Sequence, residues 1–233
     1  MLNAIHEKVK QIPLYILLFI SCNSIRNPAL NNLVSLYDGK FSLENETRSN
    51  PSRGKENYLR LTSLQNSLVE QGWLLPNAMA NNCAILLFRS NPILFEGKDL
   101  LEVEIQIKNT EPFVFTYKQN ELQEMDNNHE MVETIIKEFV ENTIANDAGK
   151  VQSIGYTTNR PEQNFRSFFD AFKEVIPANY KDTKLISYAV LNKGGLSEYL
   201  IDAVLLTQDN IQKIINVSLI GSNDHIKIKE VKF

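Results

Sequence analysis

The chain has 233 residues, of which 43% are hydrophobic and 22% charged, and its formal net charge is −4. This composition is typical of a globular protein with a sizeable core, so it excludes a chain that is disordered throughout. A mildly acidic protein lacks the broad basic face that a phosphate backbone requires, and we therefore expect no nucleic-acid partner.

The first feature along the chain is a short apolar run that ends at Cys22, one of only two cysteines. A membrane-spanning helix needs about 20 apolar residues, and this run is less than half as long. A secretory signal fits better, because Lys8 and Lys10 precede the apolar residues 14–20 and the small residue Ser21 stands before the cysteine. An ordinary cleaved signal and a buried helix are the alternatives.

The end of this signal resembles the lipobox of bacterial lipoproteins. The family pattern has an aliphatic residue, usually leucine, three positions before the cysteine; here Ser21 and Cys22 match, and Phe19 departs from the pattern. The resemblance implies that residues 1–21 are removed and that Cys22 carries acyl chains, such as palmitate, that hold the protein on a membrane of the cell envelope. A disulfide between Cys22 and Cys83 would contradict this interpretation.

A polar stretch follows the signal, and residues 22–56 have the composition of a solvated tether, with a short docked helix inside it as an alternative. Residues 57–125 are predicted to form a first α+β unit, with Trp73 in its core. Alternating apolar residues predict strands over 101–108 and 113–117. A helix at the start of this unit is indicated by leucines at helical spacing, which are Leu61, Leu64 and Leu68.

Residues 126–233 are predicted to form a second α+β unit, after a polar break at residues 119–128. A broad apolar stripe predicts a helix from Met131 to Ile144, and a group of phenylalanines predicts another between Pro161 and Pro177. Short polar turns then separate four strands, which predicts an antiparallel meander over residues 184–192, 198–207, 211–220 and 225–233. The fold class is α+β, with helices packed on antiparallel sheet, and one combined domain is the alternative to two.

The element order of residues 131–233 is similar to that of the nuclear-transport-factor-2-like superfamily, in which helices cap a curved sheet and leave a conical pocket. The resemblance has no motif, and that fold hosts both enzymes and binding modules. Asp202, which interrupts an apolar strand, is a candidate pocket residue together with Phe168 and Phe172. A buried carboxylate has a raised pKa, whereas a strand carboxylate more often faces solvent.

Few residues have the pattern of a catalytic or metal site. His129 lies in the polar break and His225 in a turn, both without clustered ligands, so we predict surface histidines and expect no metal or cofactor. Strands on both sides of Gly194-Gly195 indicate a hairpin turn rather than a phosphate loop. Cys83 lies in an apolar run, which favours a buried, inert thiol.

These observations favour a non-catalytic lipoprotein of the cell envelope, held on the bilayer through an acylated Cys22. Its α+β domain is expected to bind another protein or a small envelope component. One alternative is an enzyme or small-ligand binder that uses the pocket of Asp202, Phe168 and Phe172. Another alternative is an immunity-type inhibitor that blocks a basic toxin.

Overall fold

The structure is a computed structural model, and it describes residues 28–50, 54–64, 66–155, 162–208, 212–222 and 225–233. The predicted signal and Cys22 lie outside the described residues. The helices are α1 (Pro28–Tyr37), α2 (Ser67–Glu70), α3 (Pro76–Ser90), α4 (Gln119–Ile144), α5 (Ala148–Ile154) and α6 (Glu162–Val175), with a 3₁₀ helix at Pro92–Phe95. The strands are β1 (Lys40–Asn50), β2 (Gly54–Leu64), β3 (Leu100–Ile105), β4 (Phe113–Tyr117), β5 (Tyr180–Leu185), β6 (Ala189–Lys193), β7 (Leu196–Thr207), β8 (Gln212–Ser222) and β9 (His225–Lys232).

The first sheet has the strand order β1-β2-β3-β4. The outer pairs, β1/β2 and β3/β4, are antiparallel, whereas β2 and β3 are parallel. A parallel pair needs a long crossover connection, and the segment that contains α2 and α3 supplies it. The predicted antiparallel arrangement therefore has one exception in this sheet, and the α+β class is confirmed.

Two predictions for the start of the chain are wrong. Residues 28–50, which belong to the predicted tether, form α1 and β1, and all 11 residues of β1 pair with β2. The predicted leucine helix is also absent from the described structure, because Leu61 and Leu64 lie in β2 and only Ser67–Glu70 is helical there. Pairing on both sides of β2 satisfies its backbone hydrogen bonds, and periodicity within one sequence does not reveal such partners.

The polar composition of β1 is explained by ion pairs across the outer face of the first sheet. Arg60 lies 3.1 Å from Glu46 and 2.5 Å from Glu102, and Arg48 lies 3.3 Å from Glu102. Arg48 also covers the ring of Tyr58, with 4.6 Å between the guanidinium carbon and the ring centroid. A strand with one solvated face can therefore be ordered with few apolar residues.

The second sheet is built around β7. β8 pairs with one edge of β7, β5 and β6 share the other edge, and β9 pairs with β8, all antiparallel. The predicted strand 184–192 is thus two strands, and the chain bends between them where the N–H groups of Ile186 and Ser187 both donate to the carbonyl of Asp202. The inward and outward alternation predicted for β8 and β9 is confirmed by their burial.

The predicted polar break at residues 119–128 is wrong, because these residues form the first turns of α4. Their polar side chains occupy the solvent side, while Leu122 and Met125 point into the core at helical spacing. α6 confirms the predicted phenylalanine helix. No helix in the described ranges is both long and apolar enough to cross a membrane.

α3 joins the two halves of the fold. Cys83 and Leu87 pack with the first sheet, whereas Ile85 packs with the second. The N–H of Tyr188, in the second half, donates to the carbonyl of Ala78 at the start of α3, at 3.0 Å. Residues 57–125 and 126–233 are therefore in direct contact through this helix.

Candidate binding cleft

One face of the second sheet is covered and the other is half open. Tyr199, Ile201 and Ala203 of β7 point to the covered face, where they pack in the core that α4 and α6 complete. The alternate residues of β7 point to the opposite face. There Val204 is buried in the hydrophobic core that also contains the inner face of the first sheet, but Leu200 and Asp202 lie beyond the edge of that core.

A cleft of about 320 Å³ lies on the open half of this face. β7, β8 and β9 form its floor, and the segment before and at the start of α3, residues 73–78, forms one wall. The floor residues include Glu198, Leu200, Asp202, Asn216, Ser218 and Glu230.

The rim of the cleft is apolar, and it contradicts the predicted burial of Trp73. Gly72 has φ +74, and the turn at this residue places Leu74 in the core while Trp73 is 65% exposed and Leu75 is 63% exposed. The indole Nε1–H of Trp73 donates to Gln71 Oε1 at 3.1 Å, which orients the ring. An exposed aromatic side chain beside a polar floor is a common feature of binding surfaces.

Asp202 sits in the floor and is held by neutral donors. The hydroxyl of Ser187 donates to Asp202 Oδ2 at 2.5 Å, and the side-chain amide of Asn216 donates to Oδ1. In return, the backbone N–H of Asp202 donates to Ser187 Oγ at 2.8 Å. Ser187 thus fastens the bend between β5 and β6 to β7 and fixes the carboxylate in one orientation.

The other two carboxylates of the floor are paired with lysines of β9. Lys229 Nζ lies 2.7 Å from Glu198 Oε1, and this hydrogen bond raises the pKa of Lys229. Lys232 Nζ lies 3.2 Å from Glu230 Oε2. Among the described residues, no lysine or arginine lies within ion-pair distance of Asp202.

The structure does not bring Asp202 together with Phe168 and Phe172. Both phenylalanines belong to α6 on the covered face, where their rings stack with 6.1 Å between centroids. Phe172 is completely buried and also contacts Phe139. The side chains of β7 alternate between faces, so Asp202 is on the opposite side of the sheet from these rings.

His129 belongs to a buried polar cluster, and its prediction as a surface residue is wrong. It is 1% exposed, because it lies in the middle of α4 on the side that faces α3. Its Nε2–H donates to Asn82 Oδ1 at 2.8 Å, and its Nδ1 accepts from Arg89 Nη2 at 3.3 Å. Burial, and then the Arg89 charge, lower the pKa of His129 to about 4, so the imidazole is neutral at neutral pH.

Asn82 connects this histidine to two other parts of the fold, α1 and the end of β5. Its Nδ2 donates to the hydroxyl of Tyr37 at 2.8 Å and to the carbonyl of Leu185 at 2.9 Å. Tyr37 in turn donates to the carbonyl of Ile186 at 2.9 Å. Every polar group of the Asn82 side chain is therefore satisfied inside the protein, which indicates a structural role for the cluster.

Cys83, His225 and the Gly194-Gly195 pair are the remaining candidates for chemistry. Cys83 is completely buried, as predicted, and burial raises the pKa of its thiol to about 12. His225 is exposed at the start of β9, and Gly194-Gly195 forms the predicted turn, with φ values of +57 and +83. Within the ranges described, no group of three or more His, Cys, Asp or Glu side chains is arranged to hold a metal ion.

A larger depression, of about 640 Å³, lies between α5 and α6 and is lined in part by Asn146, Gly149 and Phe169. Residues 156–161, which connect α5 to α6 in the sequence, are outside the described ranges.

The sequence contained part of the signal for the cleft. Successive side chains of a strand point to opposite faces, so Asp202 lies on the same face of β7 as Glu198. The apolar Tyr199, Ile201 and Ala203 occupy the other face, and the position of Asp202 away from that apolar face was therefore predictable. Ser187 and Asn216 were missed, because their proximity to Asp202 depends on the strand register and on the bend before β6. Trp73 was missed because tryptophan is more often buried than exposed.

Comparisons with known proteins do not identify a family. No model of a protein family and no curated protein matches the chain. A solved structure of Bdellovibrio bacteriovorus Bd1075 is similar over 55% of this chain and 49% of that chain, with 14% sequence identity and a TM-score of 0.32. The similar region thus spans about half the length of that protein.

Proposed function

We propose that this protein is a membrane-anchored component of a bacterial cell envelope, and that its α+β domain binds another envelope component in the cleft without catalysing a reaction. The observation that carries the binding proposal is the exposure of Trp73 and Leu75 beside a polar sheet face. Exposed tryptophan is costly in water and dominates the affinity of many interfaces, so its position at a cleft favours a binding role.

The hydrogen bonds in the floor support binding rather than catalysis. A serine nucleophile needs a base that can take its proton during attack. Ser187 donates to Asp202 Oδ2, but its oxygen also accepts from the N–H of Asp202, so a lone pair that an attack would need already joins the bend before β6 to β7. Glu198 and Glu230 form ion pairs with lysines.

The anchor proposal rests on the resemblance of residues 19–22 to a lipobox. Five residues, 23–27, separate Cys22 from α1, which begins at Pro28. A fully extended chain from Cys22 to Pro28 spans at most about 20 Å. An acylated Cys22 would therefore keep the domain beside the membrane surface, in place of the long tether expected from the sequence.

The anchor is tested by the intact mass of the protein recovered from the membrane fraction. We expect a chain that begins at Cys22 and carries acyl groups, and we expect a Cys22→Ala variant to leave the membrane fraction or to retain residues 1–21. A wild-type chain that is soluble and still carries residues 1–21 would refute the anchor.

The cleft is tested by photo-crosslinking in cells. A photoreactive amino acid at Leu75, on the rim, is expected to give a discrete adduct, whereas the same group at the exposed Glu138, on α4, is expected to give none. Equal adducts from both positions, or none from Leu75, would refute the binding role of the cleft. Turnover of ester, phosphate or glycoside substrates by the purified protein would refute the non-catalytic part.

A further inference from the structure

We propose that the cleft binds a protein partner through a segment that places a basic side chain on Asp202 and a neighbouring apolar side chain on Trp73. This inference rests on the proposed binding function of the cleft and adds the chemistry of its occupant. It is carried by three features of the site: an unneutralised carboxylate, its fixed orientation and the adjacent apolar rim.

The charge distribution in the cleft leaves one carboxylate for a partner. Glu198 and Glu230 are each paired with a lysine of β9, at 2.7 and 3.2 Å. Within the described part of the chain, Asp202 accepts from Ser187 and Asn216, which are neutral donors, and from no lysine or arginine. Covering an uncompensated carboxylate with a partner costs desolvation free energy, and a cation from the partner is the group that offsets this cost.

The orientation of Asp202 is suited to such a cation. A carboxylate has about four lone-pair positions, so two hydrogen bonds leave two positions for a guanidinium or an ammonium group. Ser187 on one side and Asn216 on the other restrain the carboxylate before a ligand arrives. A restrained group loses little conformational entropy on binding, which favours affinity.

The rim supplies the apolar part of the recognition. Trp73 and Leu75 are exposed apolar side chains of the wall, and Leu200 of the floor is 37% exposed beside Asp202 in the same strand. An aliphatic side chain of the partner packs against this surface, and the indole face also attracts a cation. A saccharide would use the same indole, and its hydroxyl groups would also donate to Asp202, but a neutral sugar would leave the negative charge of this carboxylate uncompensated.

Trp73 is the only tryptophan of the chain, so its fluorescence reports on this site alone. The full chain, in a polyoxyethylene detergent, is titrated with a decapeptide of alternating leucine and arginine that has blocked ends. The matched probe replaces arginine with citrulline, which has the same shape and no charge. A third titration uses chitotriose as a neutral saccharide.

We expect saturable binding of the arginine peptide that is at least about tenfold tighter than that of the citrulline peptide, because charge-assisted hydrogen bonds contribute that much. Asp202→Asn is expected to remove the difference between the peptides. Glu138→Gln, which removes one exposed negative charge from α4, is expected to preserve it. The difference in affinity between the two peptides is measured on the wild-type protein, so it tests the basic partner even if Asp202→Asn does not fold.

Equal affinity for the two peptides, no response to either, or an unchanged contrast in Asp202→Asn would overturn the inference. A response to chitotriose alone would also overturn it, but would leave the cleft as a binding site. A crosslink from Leu75 without a fluorescence response to the peptides would refute the basic partner only. The absence of both the crosslink and the fluorescence response would refute the binding function itself.

Discussion

Asn82 is predicted to be the most sensitive polar residue of the core. Its side chain is completely buried and accepts from His129 Nε2 at 2.8 Å while it donates to Tyr37 and to the carbonyl of Leu185. Asn82→Ala leaves the imidazole N–H and the Leu185 carbonyl without partners in the interior. Each buried polar group that loses its partner costs about 1–3 kcal/mol, so we expect a loss of about 4 kcal/mol in the free energy of unfolding.

Such a loss is a large part of the stability of a typical domain, which is about 5–15 kcal/mol. The assay is urea unfolding of the full chain, followed by far-UV circular dichroism at pH 7.5. The matched control is Asn77→Ala, an exposed position of the same helix, for which we expect a change of at most about 0.5 kcal/mol. A loss below about 1 kcal/mol for Asn82→Ala would refute the view that this cluster holds α1, α3, α4 and the second sheet together.

Stability is also expected to depend on pH through His129, whose pKa is about 4 in the folded protein against an ordinary value of 6.5. As the pH falls, the unfolded chain binds a proton on this imidazole before the folded protein does. The contribution of the neutral imidazole to the free energy of unfolding is therefore fully present well above pH 6.5, and this free energy falls by about 2 kcal/mol between pH 7.5 and 5. A free energy of unfolding in urea that stays constant over this pH range would contradict the prediction. In a Cys22→Ala variant, the buried thiol of Cys83 should react with Ellman's reagent only when the protein unfolds, and prompt reaction of the native protein would contradict its burial. Phe172→Ala should cost about 3–5 kcal/mol in thermal or urea unfolding because it empties a fully buried site. Trp73→Ala should change stability by no more than about 0.5 kcal/mol, and a large loss would show that the exposed indole supports the fold.

Sequence periodicity was reliable where an element buries a single face. The alternation in β8 and β9 and the aromatic stripe of α6 predicted these elements, because one face of each packs against the same core and the opposite face meets solvent. The burial of Cys83 was predictable for a similar reason, since it lies within a continuous apolar run.

Periodicity failed where partners distant in sequence decide the structure. Leu61 and Leu64 match helical spacing, but pairing with β1 and β3 makes them part of a strand. The sequence of β1 is typical of a polar linker, and its charged residues find partners only when Arg60 of β2 and Glu102 of β3 lie within reach in the folded sheet. Local propensity is a weak prior, and tertiary pairing overrides it in these elements.

The sequence by itself determined the α+β class, most of the second sheet and the aromatic helix, and it provided the only indication of an anchor, at Cys22. Tertiary structure alone decided that His129 is buried, that Trp73 is exposed and that Ser187 and Asn216 hold Asp202. The physical reason is that a period of two or of 3.6 residues fixes which side chains share a face. Whether that face meets solvent, a core or a cleft depends on elements far away in the chain.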